Sequence, residues 1–173
     1  MLIDRHLPQW DFEERHEVRV RADRQRTWEA VLTTEFGSSF VSRLLVTLRG
    51  MRGTGSMRLL DFTRWGFVVL DEHPGAEIVL GLVGRFWTPG GGVIRIDPDE
   101  FASFDRPGYA KAVWNFSVEP EGDGCVVRTV TRVRATDASS KKRFRAYWTV
   151  IRPFSGFLRG RMLQAIRTGA EQG

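Results

Sequence analysis

The sequence predicts an α+β protein in which an antiparallel sheet packs against one long C-terminal helix. Three observations carry this. The last thirty or so residues hold a single apolar stripe at helical spacing. The middle of the chain reads as a run of short strands separated by glycine- and proline-rich turns. Between the first strand and that run lie two stretches with helical periodicity.

The helix comes first because its signal is longest. With Phe144 at zero and about 100° per residue, Trp148, Ile151, Ser155, Leu158, Met162 and Ile166 fall within about 40° of it, and Tyr147 and Ala165 within about 60°. Asp137 is placed to cap the start. Pro153 lies inside the stripe and is expected to kink the helix, because it lacks an N–H and its ring crowds the preceding turn. The stripe resumes in phase, so one kinked helix is expected. A second strip of Val150, Phe154 and Phe157 lies off the core stripe with Arg143 and Arg161 beside it, which suits a protein partner or an anionic membrane surface.

Residues 1–12 read as a loose lead-in and residues 13–170 as one domain. Glu13 to Val20 alternates, with His16, Val18 and Val20 on one face and Glu17 and Arg19 on the other, as in a half-buried strand. Asp23 caps a short helix over Arg24 to Phe36, carrying Trp28, Leu32 and Phe36, and Gly37 ends it. A second short helix fits Ser39 to Arg49. Strands are then expected at Met57–Phe62, Trp65–Leu70, Glu77–Trp87, Val93–Ile96 and Glu100–Asp105. The His73-Pro74-Gly75 and Pro89 to Gly92 stretches are turns. Tyr109–Val118 and Cys125–Arg134 alternate on either side of the loop from Glu119 to Gly124. Arg128, Arg132 and Arg134 are expected to face water, which turns Val127, Thr129, Thr131 and Val133 inward.

Composition bounds the function. The chain has 173 residues, 42% hydrophobic and 27% charged, as in an ordinary globular domain. No run approaches the ~18 apolar residues of a transmembrane helix, and no signal peptide is visible, so a cytoplasmic location is expected. The single cysteine, Cys125, excludes an internal disulfide and a multi-cysteine metal site. The net charge of +5 is dispersed arginine with no compact basic run, which argues against nucleic acid and leaves only weak contact with anionic membranes. No phosphate-binding glycine motif, nucleophile elbow or zinc-binding histidine pair occurs. Asp71, Glu72 and His73 read as turn-rim charge, and no metal, cofactor or catalytic residue is assigned. A lone inward histidine such as His16 reads as a hydrogen-bonded core residue.

The order of strand, two short helices, antiparallel strands and long helix resembles the START-like superfamily, which includes Bet v 1-like, polyketide cyclase/dehydratase and lipid-transport proteins. The stretches Glu77 to Gly81 with Gly84 to Trp87, Thr129 to Val133, and Phe144 through Tyr147-Trp148 to Pro153 with Met162-Leu163 are similar to those of uncharacterised bacterial members. The resemblance covers residues 12–170. It implies a helix-grip fold, a strongly curved sheet wrapped around the C-terminal helix, with an apolar cavity between them that binds a small hydrophobic ligand such as a lipid or polyketide-like molecule.

The expected lining is Leu82, Phe86, Trp114, Phe116, Thr129, Thr131, Tyr147, Trp148 and Ile151. Arg85 is added at the mouth, where it could hold a carboxylate, pair with an acid or snorkel to solvent. The hydroxyls of Thr129, Thr131 and Tyr147 supply the few polar groups such a pocket uses. The leading reading is a carrier or sensor, acting as monomer or homodimer. The alternatives are a polyketide cyclase/dehydratase-like enzyme, which would need His16, Arg85 or Tyr147 beside the ligand, and an interaction module using Val150, Phe154, Phe157 and Arg161.

Overall fold

The computed structural model describes residues 1–36 and 58–172. Helix α1 (Ile3–His6) leads into strand β1 (Phe12–Val20) and helix α2 (Arg24–Thr33). After a 3-10 helix (Leu59–Trp65) come β2 (Val68–His73), β3 (Glu77–Gly84), the one-turn helix α3 (Pro98–Phe101), β4 (Ala110–Glu121) and β5 (Gly124–Ala135). Helix α4 (Ala138–Gln172) ends the chain. The five strands found among the described residues form one antiparallel sheet in the order β1-β5-β4-β3-β2. Helix α4 packs against one face of it, so the chain adopts the helix-grip fold.

The caps predicted from sequence set two helix starts. Asp23 Oδ1 accepts from the Arg26 N–H at 2.9 Å. Asp137 Oδ1 accepts from the Ser140 N–H at 2.9 Å, and its Oδ2 accepts from the Ser140 hydroxyl and the Gly108 N–H, both at 2.6 Å. These bonds, the Ser140 hydroxyl first, hold the Asp137 carboxyl far below the ordinary carboxylate range. Helix α4 then runs unbroken through Pro153.

Several expected elements differ. The helix expected at Ser39–Arg49 lies outside the described residues. The strand expected at Met57–Phe62 is instead the 3-10 helix: Asp61 Oδ2 accepts from the Arg58 N–H at 2.9 Å, a capping contact that favours a turn, and Gly66 at φ 91° ends it. The strand expected at Glu100–Asp105 gives way to α3, because Pro98 at the first helical position costs no hydrogen bond. Val93–Ile96 makes one isolated bridge, Val83 with Ile94. β3 stops at Gly84, where an added Cβ would lie 2.8 Å from the Gly91 carbonyl oxygen, so the turn after it closes tightly on the strand. Strands β4 and β5 extend into the expected loop and leave only Gly122 and Asp123 between them.

Both faces of the sheet are covered. On the grip face, Val18, Ile78, Leu80, Trp114, Phe116, Val118 and Val127 pack with Trp28 and Val31 of α2 and with Leu163, Ile166 and Ala170 of α4. On the outer face, Ile3 and Leu7 pack with Val79, Val113, Val130, Phe101 and Tyr109. The expected loose lead-in is therefore a packed cover at its start: Ile3 and Leu7 are buried. The physical reason is that Val79, Val113 and Val130 line one sheet face and need an apolar lid.

Arg132 was expected to face water, yet its side chain is 3% exposed. It does point to the outer face, but that face is covered. Its guanidinium donates to Glu13 Oε2 and to Asp4 Oδ1, both at 2.7 Å, and stacks 3.7 Å from the Trp10 ring centroid. Glu77 Oε2 accepts from the Leu2 N–H at 2.8 Å, and Oε1 accepts from Asn115 Nδ2 at 2.6 Å. Lys111 Nζ donates to the carbonyls of Phe101 and Ala102 at 3.2 and 2.9 Å. Burial lowers the Lys111 pKa from its ordinary value, with Arg134 adding to the shift.

Candidate functional site between sheet and helix

The grip face is laid out by register. His16 lies opposite Thr129, which lies opposite Phe116 and then Ile78. The next row is Glu14, Thr131, Trp114 and Leu80, and the next Phe12, Val133, Ala112 and Leu82. Period-2 alternation turns all of these toward α4.

Helix α4 is anchored at its two ends. At the start, Phe144 is buried among Leu82, Phe86, Ala110 and Val133, with Phe12 at 4.9 Å between ring centroids and Trp148 stacked at 5.7 Å. At the far end Leu163, Ile166 and Ala170 are buried. Each large anchor contributes about 2 kcal/mol by burial. Between the anchors, over residues 145–162, no side chain of the helix is buried. Below that stretch Ala112 and Thr131 remain half-exposed, although they lie on interior strands of the sheet, and so do Val69 and Phe67 at its β2 side. The middle of the helix thus covers the sheet incompletely, a gap in the packing at Ala112 and Thr131.

Trp114 is buried beside that stretch. Phe62 and Phe67 meet it edge-on at 5.1 and 5.9 Å, and the Arg159 guanidinium lies 4.2 Å from its ring centroid. The Trp114 Nε1–H donates to Thr129 Oγ1 at 2.7 Å, and that hydroxyl donates to the Asn115 carbonyl at 2.8 Å. Arg159 also reaches Thr129 Oγ1 at 3.4 Å. The Glu14 and His16 side chains complete the polar set, with Glu14 Oε1 2.9 Å from His16 Nε2. Helix α4 passes them at Gly156, where an added Cβ would sit 3.0 Å from Glu14 Oε1.

The expected lining residues fall into three groups. Thr131, Trp148 and Ile151 are half-buried at the gap, with Tyr147 beside them against Phe144. Leu82, Phe86, Trp114, Phe116 and Thr129 are buried in the packing that surrounds it. The hydroxyl of Thr129 is committed to Trp114 and Asn115. Arg85 does not join the grip-face set. It lies past the end of β3, is exposed, and stacks 4.6 Å from the Tyr109 centroid, a ring of the outer-face core. Leu82 and Phe86 are buried on the grip side, so alternation along the chain leaves Arg85 on the opposite side.

Sequence reasoning does not single out Glu14 or Arg159. Glu14 was legible: stepping back two residues from His16 keeps to the inward phase of β1. Arg159 lies about 60° off the core stripe at ~100° per residue, and arginine at that position reads as boundary charge.

The second strip on α4 is exposed: Val150 is 67%, Phe154 49% and Phe157 58% accessible, with Arg161 exposed beside them. A separate, solvent-open groove of about 760 Å³ lies between α2 and the end of α4, bordered by Asp23, Glu29, Thr33, Glu35 and Gly169. None of the expected lining residues borders it. Among the described residues, no helix is long and apolar enough to cross a membrane.

No family model and no curated protein matches the chain. Similar solved structures include a structural-genomics protein from Mesorhizobium loti, at TM-score 0.43 and 10% identity over 91% of this chain and 98% of that one. Truncated norcoclaurine synthase from Thalictrum flavum is similar at TM-score 0.41 and 16% identity, over 94% of each chain. CalU16 from Micromonospora echinospora is similar at TM-score 0.33 and 13% identity, over 93% and 95%. The helix-grip arrangement expected from the sequence is seen in the chain itself, in its five-stranded antiparallel sheet and long C-terminal helix.

Proposed function

We propose that the protein binds a small hydrophobic molecule in the gap between the sheet and the middle of α4, as a carrier or sensor. One observation carries this reading: α4 is buried at both ends and nowhere between, above sheet residues that keep part of their exposure. A helix selected only for packing would close over Ala112 and Thr131, because each buried methylene contributes about 0.8 kcal/mol. An apolar space with a few oriented polar groups is what ligand sites present.

Anilinonaphthalene sulfonate tests the reading. The wild-type protein is expected to bind it saturably, and Ala112→Trp, which fills the space above the sheet, is expected to weaken binding about tenfold, or about 1.4 kcal/mol. Equal affinity in the two proteins, with the variant folded by circular dichroism, would overturn the proposal.

A further inference from the structure

The grip face holds one ionisable pair that packing does not explain. Glu14 and His16 are two residues apart in β1, so both side chains point toward α4. The Glu14 side chain is only 8% exposed, and its Oε2 is buried with no hydrogen-bond partner among the described residues. A carboxylate kept for stability is expected to have both oxygens satisfied, as Glu77 has on the opposite face. Glu14 is instead desolvated with a single partner, the imidazole.

His16 is the accessible member, 29% exposed. Its environment sets its chemistry. An ionised carboxylate only accepts hydrogen bonds, so the ring proton of a neutral imidazole belongs on Nε2, facing Glu14 Oε1 at 2.9 Å. Nδ1 then keeps its lone pair. No described residue donates to it. The pair lies under Gly156, within the stretch of α4 that has no buried side chain, and an added Cβ there would lie 3.4 Å from His16 Cε1. Thr131, half-exposed at the gap, is the cross-strand neighbour of Glu14.

We propose that Glu14 and His16 form the polar end of the ligand site, Glu14 holding the imidazole in its Nε2–H tautomer so that His16 Nδ1 accepts a hydrogen bond from a hydroxyl or amine on an otherwise hydrophobic ligand. This rests on the interior-binding reading above and narrows its ligand class. A pure hydrocarbon chain, or a molecule whose polar atoms only accept, leaves Nδ1 unpaired on binding and is selected against. The unpartnered Oε2 fits the same device. A carboxylate with its other oxygen engaged elsewhere would hold the imidazole less firmly.

Two measurements test this separately. The first is ligand-observed NMR with 2-naphthol and 2-methoxynaphthalene, which share an aromatic body and differ in whether the oxygen can donate. Wild-type protein is expected to prefer 2-naphthol about tenfold. In Glu14→Gln the preference is expected to shrink to about twofold or reverse, because the amide can donate to Nε2 and release the tautomer. Equal binding of the two probes to wild type overturns the acceptor role and leaves the interior site standing. Binding of neither overturns the interior reading itself. The second measurement needs no ligand: nitrogen-15 shifts of His16 at mildly alkaline pH are expected to show protonated Nε2 and bare Nδ1. An Nδ1–H tautomer or an imidazolium there overturns the proposal.

Discussion

The two faces of the sheet both bury charge, and they treat it differently. On the outer face, Arg132 has two carboxylates and a tryptophan ring, Glu77 accepts bonds on both oxygens, and Lys111 donates to two carbonyls. On the grip face, Glu14 keeps one oxygen without a partner and His16 stays partly open. Complete satisfaction is what a structural network requires, since a buried polar atom left unpaired costs about 1–3 kcal/mol. The outer network ties the N-terminal segment to β5 and contributes stability. The incomplete pair opposite is expected to contribute less to stability than a fully satisfied one.

The largest effect that would break this comparison is at Arg132. Arg132→Met leaves Asp4 and Glu13 without their shared cation and is expected to lower unfolding free energy by about 3 kcal/mol, read from urea denaturation. The same variant alters the acid limb. Arg132 leads the causes that lower the Asp4 pKa, and it acts after Arg15 on Glu13. A carboxyl whose folded pKa is depressed binds fewer protons folded than unfolded. Its stabilisation is therefore present above the ordinary carboxylate range and lost as pH falls through the folded value. Wild-type melting temperature should drop on acidification through that range, and the drop should be shallower in Arg132→Met. An unchanged acid limb would mean that the outer network is not the source of that stability.

The grip-face pair should respond in the opposite direction. Replacing both members with apolar residues, Glu14→Leu with His16→Phe, is expected to raise stability by about 1–2 kcal/mol, because a half-satisfied buried pair contributes less than packing of the same volume. A loss of stability comparable to that of Arg132→Met would make the pair structural and remove the contrast. The smallest effect is on the helix itself. An added Cβ at Gly160 meets nothing within 4 Å, so Gly160→Ala is expected to stabilise by roughly 0.5–1 kcal/mol through helix propensity alone, measured as a small rise in melting temperature. A decrease would show that the middle of α4 relies on glycine mobility.

Much of the fold was legible because its signals are local and repetitive. The α4 stripe spans many turns, and the caps at Asp23 and Asp137 act within three residues of themselves. Alternation identified β1, β4 and β5 and the inward phase of Thr129 and Thr131. Short segments were less legible. Leu59–Trp65 and Pro98–Phe101 are too brief for periodicity to outvote single contacts, here the Asp61 cap and the placement of Pro98.

The sequence alone determined the α+β class, the long helix and which residues of each central strand share a face, because hydrophobic period and capping chemistry are properties of neighbouring residues. Only the tertiary structure decided that the outer face is roofed by the first residues and by Ile96 to Tyr109, so that Arg132 is buried. It also decided that no side chain of α4 is buried between its anchors, and that Glu14 and His16 meet beneath Gly156 with one oxygen unpaired. Burial and pairing of that kind depend on segments more than a hundred residues apart, such as Asp4 with Arg132. A pattern read along the chain carries no term for them.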